Sequence, residues 1–173
     1  MARNIEIKAR IASVQALLPR AQALADSPEP VVIDQDDTFF ACAAGRLKLR
    51  QFTPNAGELI HYHRADVAGP KLSDYVRVPT AEPALLREAL RRAHGEAGRV
   101  RKRRLLLTAG ATRIHLDAVE GLGDFLELEV VLRDDEAPGD GEAVARALLR
   151  GLGIADAQLL QGAYVDLLRA GAA

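Results

Sequence analysis

Asn4, Glu6, Lys8 and Arg10 alternate with Ile5, Ile7, Ala9 and Ile11. That period of two puts the polar set on one face of a strand and the apolar set on the other. The pattern returns along the chain. Arg46, Lys48 and Arg50 alternate with Leu47 and Leu49, and Lys102 and Arg104 stand on one face of a later run. Arg113, His115 and Asp117 alternate with Ile114 and Leu116, and Glu127 and Glu129 with Leu126, Leu128 and Val130. Polar faces this charged can line a hydrated lumen. Arginine forks and lysine ammonium groups there suit the oxygens of a polyanion. The carboxylates are hard oxygen donors of the kind that hold Mg²⁺ or Mn²⁺.

The basic candidates for the polyanion are Lys8, Arg10, Arg46, Lys48, Arg50, Arg64, Lys71, Lys102, Arg104 and Arg113. Arg101 and Arg103 have the opposite phase to Lys102 and Arg104 and belong outside. The oxygen-donor set is Glu6, Asp117, Glu127 and Glu129, which can also form ion pairs with the basic set. His115 reads as a structural histidine. His61 and His63 share a face, but no further ligand cluster accompanies them, so a zinc site is unsupported. Tyr62 and Tyr164 read as core or rim packing, and Cys42 as an inert strand residue.

These residues need strands, and the sequence supplies about eight of them with three or four helices. The first runs over 3–11. Ser13 caps a helix over 14–25 that Pro19 kinks or restarts. Strands follow over 31–43, 46–52, 58–65 and 71–78, with Pro54-Asn55-Ala56-Gly57 as a hairpin turn. Thr80 is the expected cap of a helix over 81–94. Strands over 99–108, 111–119 and 125–133 are joined by turns at Ala109-Gly110 and Gly121 to Gly123. An acidic loop over 134–141 precedes a helix over 142–152 ended by Gly153. A short helix falls near Tyr164 and Asp166. Short turns imply antiparallel pairing. The predicted architecture is α+β: a closed or nearly closed, roughly eight-stranded antiparallel β-barrel with a polar lumen and helices packed outside.

A chain of 173 residues with net charge −1 fits one domain over 1–173 and carries no global basic field for nucleic acid. Few aromatics are present to stack bases. One cysteine excludes an internal disulfide. No run of ~20 apolar residues and no leader-like segment occurs, so a cytoplasmic location without membrane partners is expected. A homodimer is the candidate assembly. No P-loop or serine-centred elbow is present.

The strand Asn4-Ile5-Glu6-Ile7-Lys8 resembles the ExExK signature of the CYTH superfamily, the triphosphate tunnel metalloenzymes. Gly45-Arg46-Leu47-Lys48-Leu49-Arg50 is similar to its GRLKLR segment, and Val100 to Arg104 to its VxKxR strand. The hairpin from Arg113 to Glu129 is similar to its acidic return hairpin. Asn4 stands where the signature has its first Glu and offers a neutral oxygen in place of a carboxylate. The resemblance implies a barrel that grips a triphosphate and Mg²⁺ or Mn²⁺. It implies catalytic roles for Lys102 and Glu6. The expected reaction is hydrolysis of tripolyphosphate, thiamine triphosphate or a nucleoside triphosphate. Cyclisation of ATP by a class IV adenylyl cyclase is the alternative, although the His-Phe pair found ahead of the signature in some cyclases is absent. A non-catalytic nucleotide or polyphosphate binding module is the third reading.

Overall fold

The computed structural model describes residues 2–171. Among the described residues eight strands follow as β1 (Ala2–Arg10), β2 (Val31–Phe40), β3 (Arg46–Thr53), β4 (Ala56–Arg64), β5 (Lys71–Thr80), β6 (Glu96–Ala109), β7 (Thr112–Val119) and β8 (Gly123–Leu132). They close into an antiparallel barrel in the order β1-β5-β4-β3-β2-β6-β7-β8. Closure removes every free sheet edge. Register fixes the charged faces together: Glu6 lies opposite Glu129, Lys8 opposite Glu127, Arg50 opposite Asp37, and Arg104 opposite Asp117.

The apolar faces of β1, β7 and β8 point outward, and helices cover them. Helix α1 (Val14–Leu24) and helix α3 (Pro138–Leu152) bury Val14, Leu17, Ala21, Leu149 and Leu152 against Ile5, Ile7, Leu116 and Leu128. The main core therefore sits between barrel and helices rather than inside the barrel. Ser13 caps α1 by accepting from the Ala16 amide. The helix runs unbroken through Pro19; Gln15, whose carbonyl would have taken that amide, is exposed to solvent.

Several boundaries differ from expectation, β6 for one beginning at Glu96 rather than 99, and three have a local cause. Helix α2 (Pro83–His94) begins after Thr80, which ends β5 and accepts from the Glu82 amide. Pro83, with its preset φ, starts the helix instead. The stretch 138–141 is the first turn of α3 rather than loop. Pro138 opens the turn and Asp140 favours the positive end of the helix dipole. Gly141 permits the approach, since a Cβ there would lie 2.7 Å from Leu132 and 2.8 Å from Ile5. Finally, β2 ends at Phe40, so Cys42 is exposed in the connection that follows.

The last helix, α4 (Tyr164–Gly171), closes one end of the barrel. Phe39, Val100, Val119 and Phe125 form an apolar floor with Ala163, Tyr164 and Val165. Gly98 allows this closure; a Cβ on it would fall 2.5 Å from Val165. Among the described residues, no helix is long and apolar enough to cross a membrane.

Candidate functional site

The barrel encloses a cavity of about 240 Å³. Its wall carries eight basic side chains (Lys8, Lys48, Arg50, Arg64, Arg77, Lys102, Arg104 and Arg113) against five acidic ones (Glu6, Asp37, Glu58, Glu127 and Glu129). With Asp117 buried behind Lys102 and Arg104 as a sixth carboxylate, the described residues leave two positive charges in excess, inside a chain of net charge −1. The alternation that sends Leu47, Leu49, Leu105 and Leu107 outward sends these side chains in.

Two buried aspartates fix the cations. Asp37 accepts from Lys48 at 2.9 Å and from Arg50 at 2.8 and 2.7 Å. Asp117, fully buried, accepts from Lys102 at 2.9 Å, twice from Arg104 at 2.7 Å, and from the Tyr164 hydroxyl at 3.0 Å. Burial would raise the Asp117 pKa, but Arg104 and Lys102 hold it far below the usual carboxylate range. Burial lowers the Lys102 pKa to about 8, and Arg104 pushes the same way against Asp117. Burial and Arg104 lower the His115 pKa to about 3, which makes it a neutral imidazole. Its Nδ1 has no hydrogen-bond partner.

The glutamates beside them each pair with a single arginine. Glu6 pairs with Arg64, Glu127 meets Arg104 at 3.3 Å, and Glu129 meets Arg113 at 2.6 Å. Glu6 and Glu129 stand directly opposite each other on neighbouring strands, where like charges repel unless cations accompany them. Asn4 Oδ1, on the same face of β1, is buried without a partner. Among the described residues, no three acidic, histidine or cysteine side chains approach closely enough to form a protein cage for a metal. Mg²⁺ commonly takes only one or two carboxylates and completes its shell with water and phosphate oxygens. Glu6, Glu129 and the orphaned Asn4 oxygen fit an ion of that kind.

Of the residues singled out in the sequence, Glu6, Lys8, Lys48, Arg50, Arg64, Lys102, Arg104, Arg113, Glu127 and Glu129 reach the cavity wall. Four others lie elsewhere. Asp117 sits behind the wall, with Lys102, Arg104 and Tyr164 on its oxygens. Arg10 lies beyond the floor, 4.8 Å over the Phe125 ring, and donates to the Leu122 carbonyl. Arg46 binds Asp66 and Asp166. Lys71 donates to the Val67 and Leu160 carbonyls. The segment leading into α4 draws on this lower tier of cations, since Arg64 and Lys8 also donate to the Gly162 carbonyl. Lys8 lies 4.0 Å over the Tyr164 ring and Lys102 4.9 Å. Arg101 and Arg103 face outward, as their phase requires. His61 and His63 are exposed on the outside of β4.

Sequence reasoning missed Asp37 and gave Tyr164 only a packing role. Asp37 belongs to the run Asp34-Gln35-Asp36-Asp37, where all positions are polar and no alternation marks the inner face. Tyr164 comes from a tail whose docking place no local pattern encodes. The only signal for Asp37 was its parity with Phe39.

The CYTH domain model matches residues 2–164. No curated protein matches the chain. Among solved structures, the PH1012 protein of Pyrococcus horikoshii OT3 superposes with a TM-score of 0.81 at 20% identity, covering 95% of this chain and 99% of that one. A Vibrio parahaemolyticus protein described as a candidate adenylate cyclase gives 0.75 at 17% identity, covering 96% and 97%. HpAC1 from Hippeastrum, described as a candidate adenylyl cyclase with a dominant triphosphatase activity, gives 0.69 at 16% identity, covering 99% and 96%.

Proposed function

We propose that this chain, which belongs to the CYTH domain family, is a divalent-metal-dependent triphosphatase. CYTH domain proteins are triphosphatases or adenylyl cyclases and are generally divalent-metal dependent. The observation that carries the reading is the net positive charge around the cavity, eight basic side chains against six carboxylates with Asp117 counted behind the wall. A triphosphate carries about four negative charges, and forked donors such as Arg50 and Arg104 match its oxygens.

The cations are held before substrate arrives. Asp37 orients Lys48 and Arg50, and Asp117 orients Lys102 and Arg104. Donors that need no reorganisation stabilise charge as it develops on a transferring phosphoryl group. Lys102 and Arg104 serve that purpose for this substrate. Glu6 and Glu129, with Asn4, would hold the ion, which when bound polarises a phosphoryl oxygen and neutralises charge.

Hydrolysis is favoured by the triphosphatase activity described for the Hippeastrum neighbour. Cyclisation of ATP, the activity for which the Vibrio neighbour is described as a candidate, would use the same cations. It would additionally need the ribose 3′-hydroxyl set against the α-phosphate. The test is to incubate purified protein with Mg²⁺ or Mn²⁺ and, separately, tripolyphosphate, thiamine triphosphate and ATP. Phosphate, pyrophosphate and cyclic AMP are then quantified. Phosphate release without cyclic AMP supports the proposal. Equal amounts of pyrophosphate and cyclic AMP from ATP make the chain a cyclase. Binding without turnover makes it a binding module.

A further inference from the structure

Asp117 orients more than the two cations it binds. It takes the Nε and Nη2 groups of Arg104 at 2.7 Å each. That fork leaves Arg104 Nη1 for the next inward residue of β7, His115, whose Nε2 lies 3.5 Å away. On the other side of the ring, His115 Nδ1 faces Glu129 Oε1 at 3.9 Å. The second oxygen of that carboxylate, Oε2, is taken by Arg113. Asp117, Arg104, His115 and Glu129 are therefore successive neighbours across β6, β7 and β8. The series runs from the buried anchor of the cations to a carboxylate of the proposed ion site.

These neighbours fix where the imidazole carries its proton. A guanidinium can only donate, so His115 Nε2 accepts. A neutral ring then has its proton on Nδ1, and a charged ring has one there in any case. Nδ1 is thus a donor in both charge states, which bars a metal ion from that nitrogen. It is buried without a hydrogen-bond partner, and an unmet buried donor carries a desolvation cost. The acceptor that faces it is Glu129 Oε1.

We propose that His115 is a positioning residue for Glu129: its Nδ1–H holds Oε1 when the carboxylate turns from Arg113 toward a divalent ion. The inference rests on the reading of Glu129 as an ion ligand of the triphosphatase, and it assigns a role to a residue that itself touches neither ion nor phosphate. A neutral donor suits that role. Arg113 binds Glu129 with a full positive charge and competes with the ion for it. An imidazole N–H orients the carboxylate and leaves its negative charge to the ion. The ring is in turn held by Arg104, and Arg104 by Asp117, so the position of Glu129 is set from the buried side of the wall.

The experiment measures Mn²⁺ binding to the protein without substrate, by calorimetry and electron paramagnetic resonance, in wild type, Glu129→Gln, His115→Phe, His115→Asn and His115→Gln. Phenylalanine keeps a ring and removes both nitrogens. The asparagine amide N–H stands as many bonds from Cβ as His Nδ1 does, whereas that of glutamine reaches the place of Nε2. Losing a residue that orients a metal ligand typically costs about 10–100-fold in metal affinity. His115→Phe should therefore weaken Mn²⁺ binding by about tenfold, His115→Asn should recover most of the loss, and His115→Gln should not. Affinity for tripolyphosphate in the presence of a chelator should be unchanged in all three His115 variants. The ¹⁵N NMR spectrum of wild type should place the proton of His115 on Nδ1, a readout that stands even where a variant does not fold. Unchanged Mn²⁺ affinity in His115→Phe, no recovery in His115→Asn, a proton on Nε2, or a loss of tripolyphosphate affinity overturns the inference; the triphosphatase reading, decided by phosphate release, is then left standing. If wild type binds no Mn²⁺, or Glu129→Gln binds it as tightly as wild type, the assignment of Glu129 to the ion fails and the inference with it.

Discussion

Replacing Asp117 with Asn tests how the cations are held. Asp117 accepts four hydrogen bonds, three of them from Lys102 and Arg104, with no exposure to solvent. Asparagine keeps the shape, removes the charge and turns one acceptor into a donor beside Lys102 and Arg104, which can only donate. Removing one partner of a buried charge pair typically costs about 3–5 kcal/mol, because the remaining charges are left uncompensated. A chain of this size loses roughly 2–4 °C of Tm per kcal/mol, so Tm should fall by roughly 6–20 °C at neutral pH. Asp34→Asn is the control, since Asp34 and Arg103 are 3.8 Å apart and both largely exposed; such pairs contribute about 0–1 kcal/mol. The pH dependence gives a second readout. The Asp117 pKa is depressed in the fold from 3.8, so its contribution is fully present above that value and is lost as pH falls toward the folded pKa. The gap in Tm between wild type and Asp117→Asn should therefore narrow on acidification below 3.8. A fall of less than about 3 °C at neutral pH, measured by circular dichroism melts, would refute the view that Asp117 anchors the cation cluster.

Further outcomes concern the metal and the lysines. Glu129→Gln should raise the Mn²⁺ concentration needed for half-maximal activation by about tenfold, as expected for weakening one of very few ligand contacts, while Tm falls less than in Asp117→Asn, because Arg113 keeps partial access to solvent; unchanged metal dependence would leave Glu129 as the ion-pair partner of Arg113 alone. Affinity for tripolyphosphate in the absence of metal should decline as pH rises through about 8, where Lys102 in the cavity wall loses its proton, and calorimetry across that range checks it. Because burial lowers the Lys102 and Lys71 pKa values from 10.5, their desolvation cost is fully present below about 8 and is relieved as pH rises toward 10.5. Their own contribution to stability should therefore increase over the window in which ligand affinity falls.

The barrel was legible because period two is unbroken in the strands that build most of its wall. Lys48 and Arg50 on β3, Lys102 and Arg104 on β6, and Glu127 and Glu129 on β8 could be assigned an inward phase from their leucine and valine neighbours alone. Phase, however, gives the face and not the depth. Arg10 and Arg46 share the inward phase of their strands, yet they fall beyond the floor or at the α4 contacts. The position of that floor depends on a long-range docking of Tyr164 onto Lys8 and Asp117. Asp117 itself was legible as inward-facing, but not as the residue whose oxygens Arg104 and Lys102 occupy. Which carboxylates are anchors and which are open to an ion depends on cross-strand register, which the barrel closure sets. The helix over 138–141 was obscured by two glycines and a proline, whose local preference for loops is overridden by packing of Gly141 on Ile5 and Leu132.

The most direct test of the tunnel is the turnover of Lys102→Ala against that of Arg103→Ala, adjacent residues that each remove one positive charge. Lys102 faces the lumen with its side chain 4% exposed, and Arg103 faces solvent at 65%. Measured as phosphate released from the best triphosphate substrate with saturating Mg²⁺ or Mn²⁺, Lys102→Ala should lose about 10²–10³ in kcat, the usual effect of losing a preorganised charged donor. Arg103→Ala should stay within about twofold of wild type, in keeping with the small effect of an exposed ion pair. If both variants fold and Arg103→Ala is damaged as severely as Lys102→Ala, the catalytic cations do not lie in the lumen and the central claim fails.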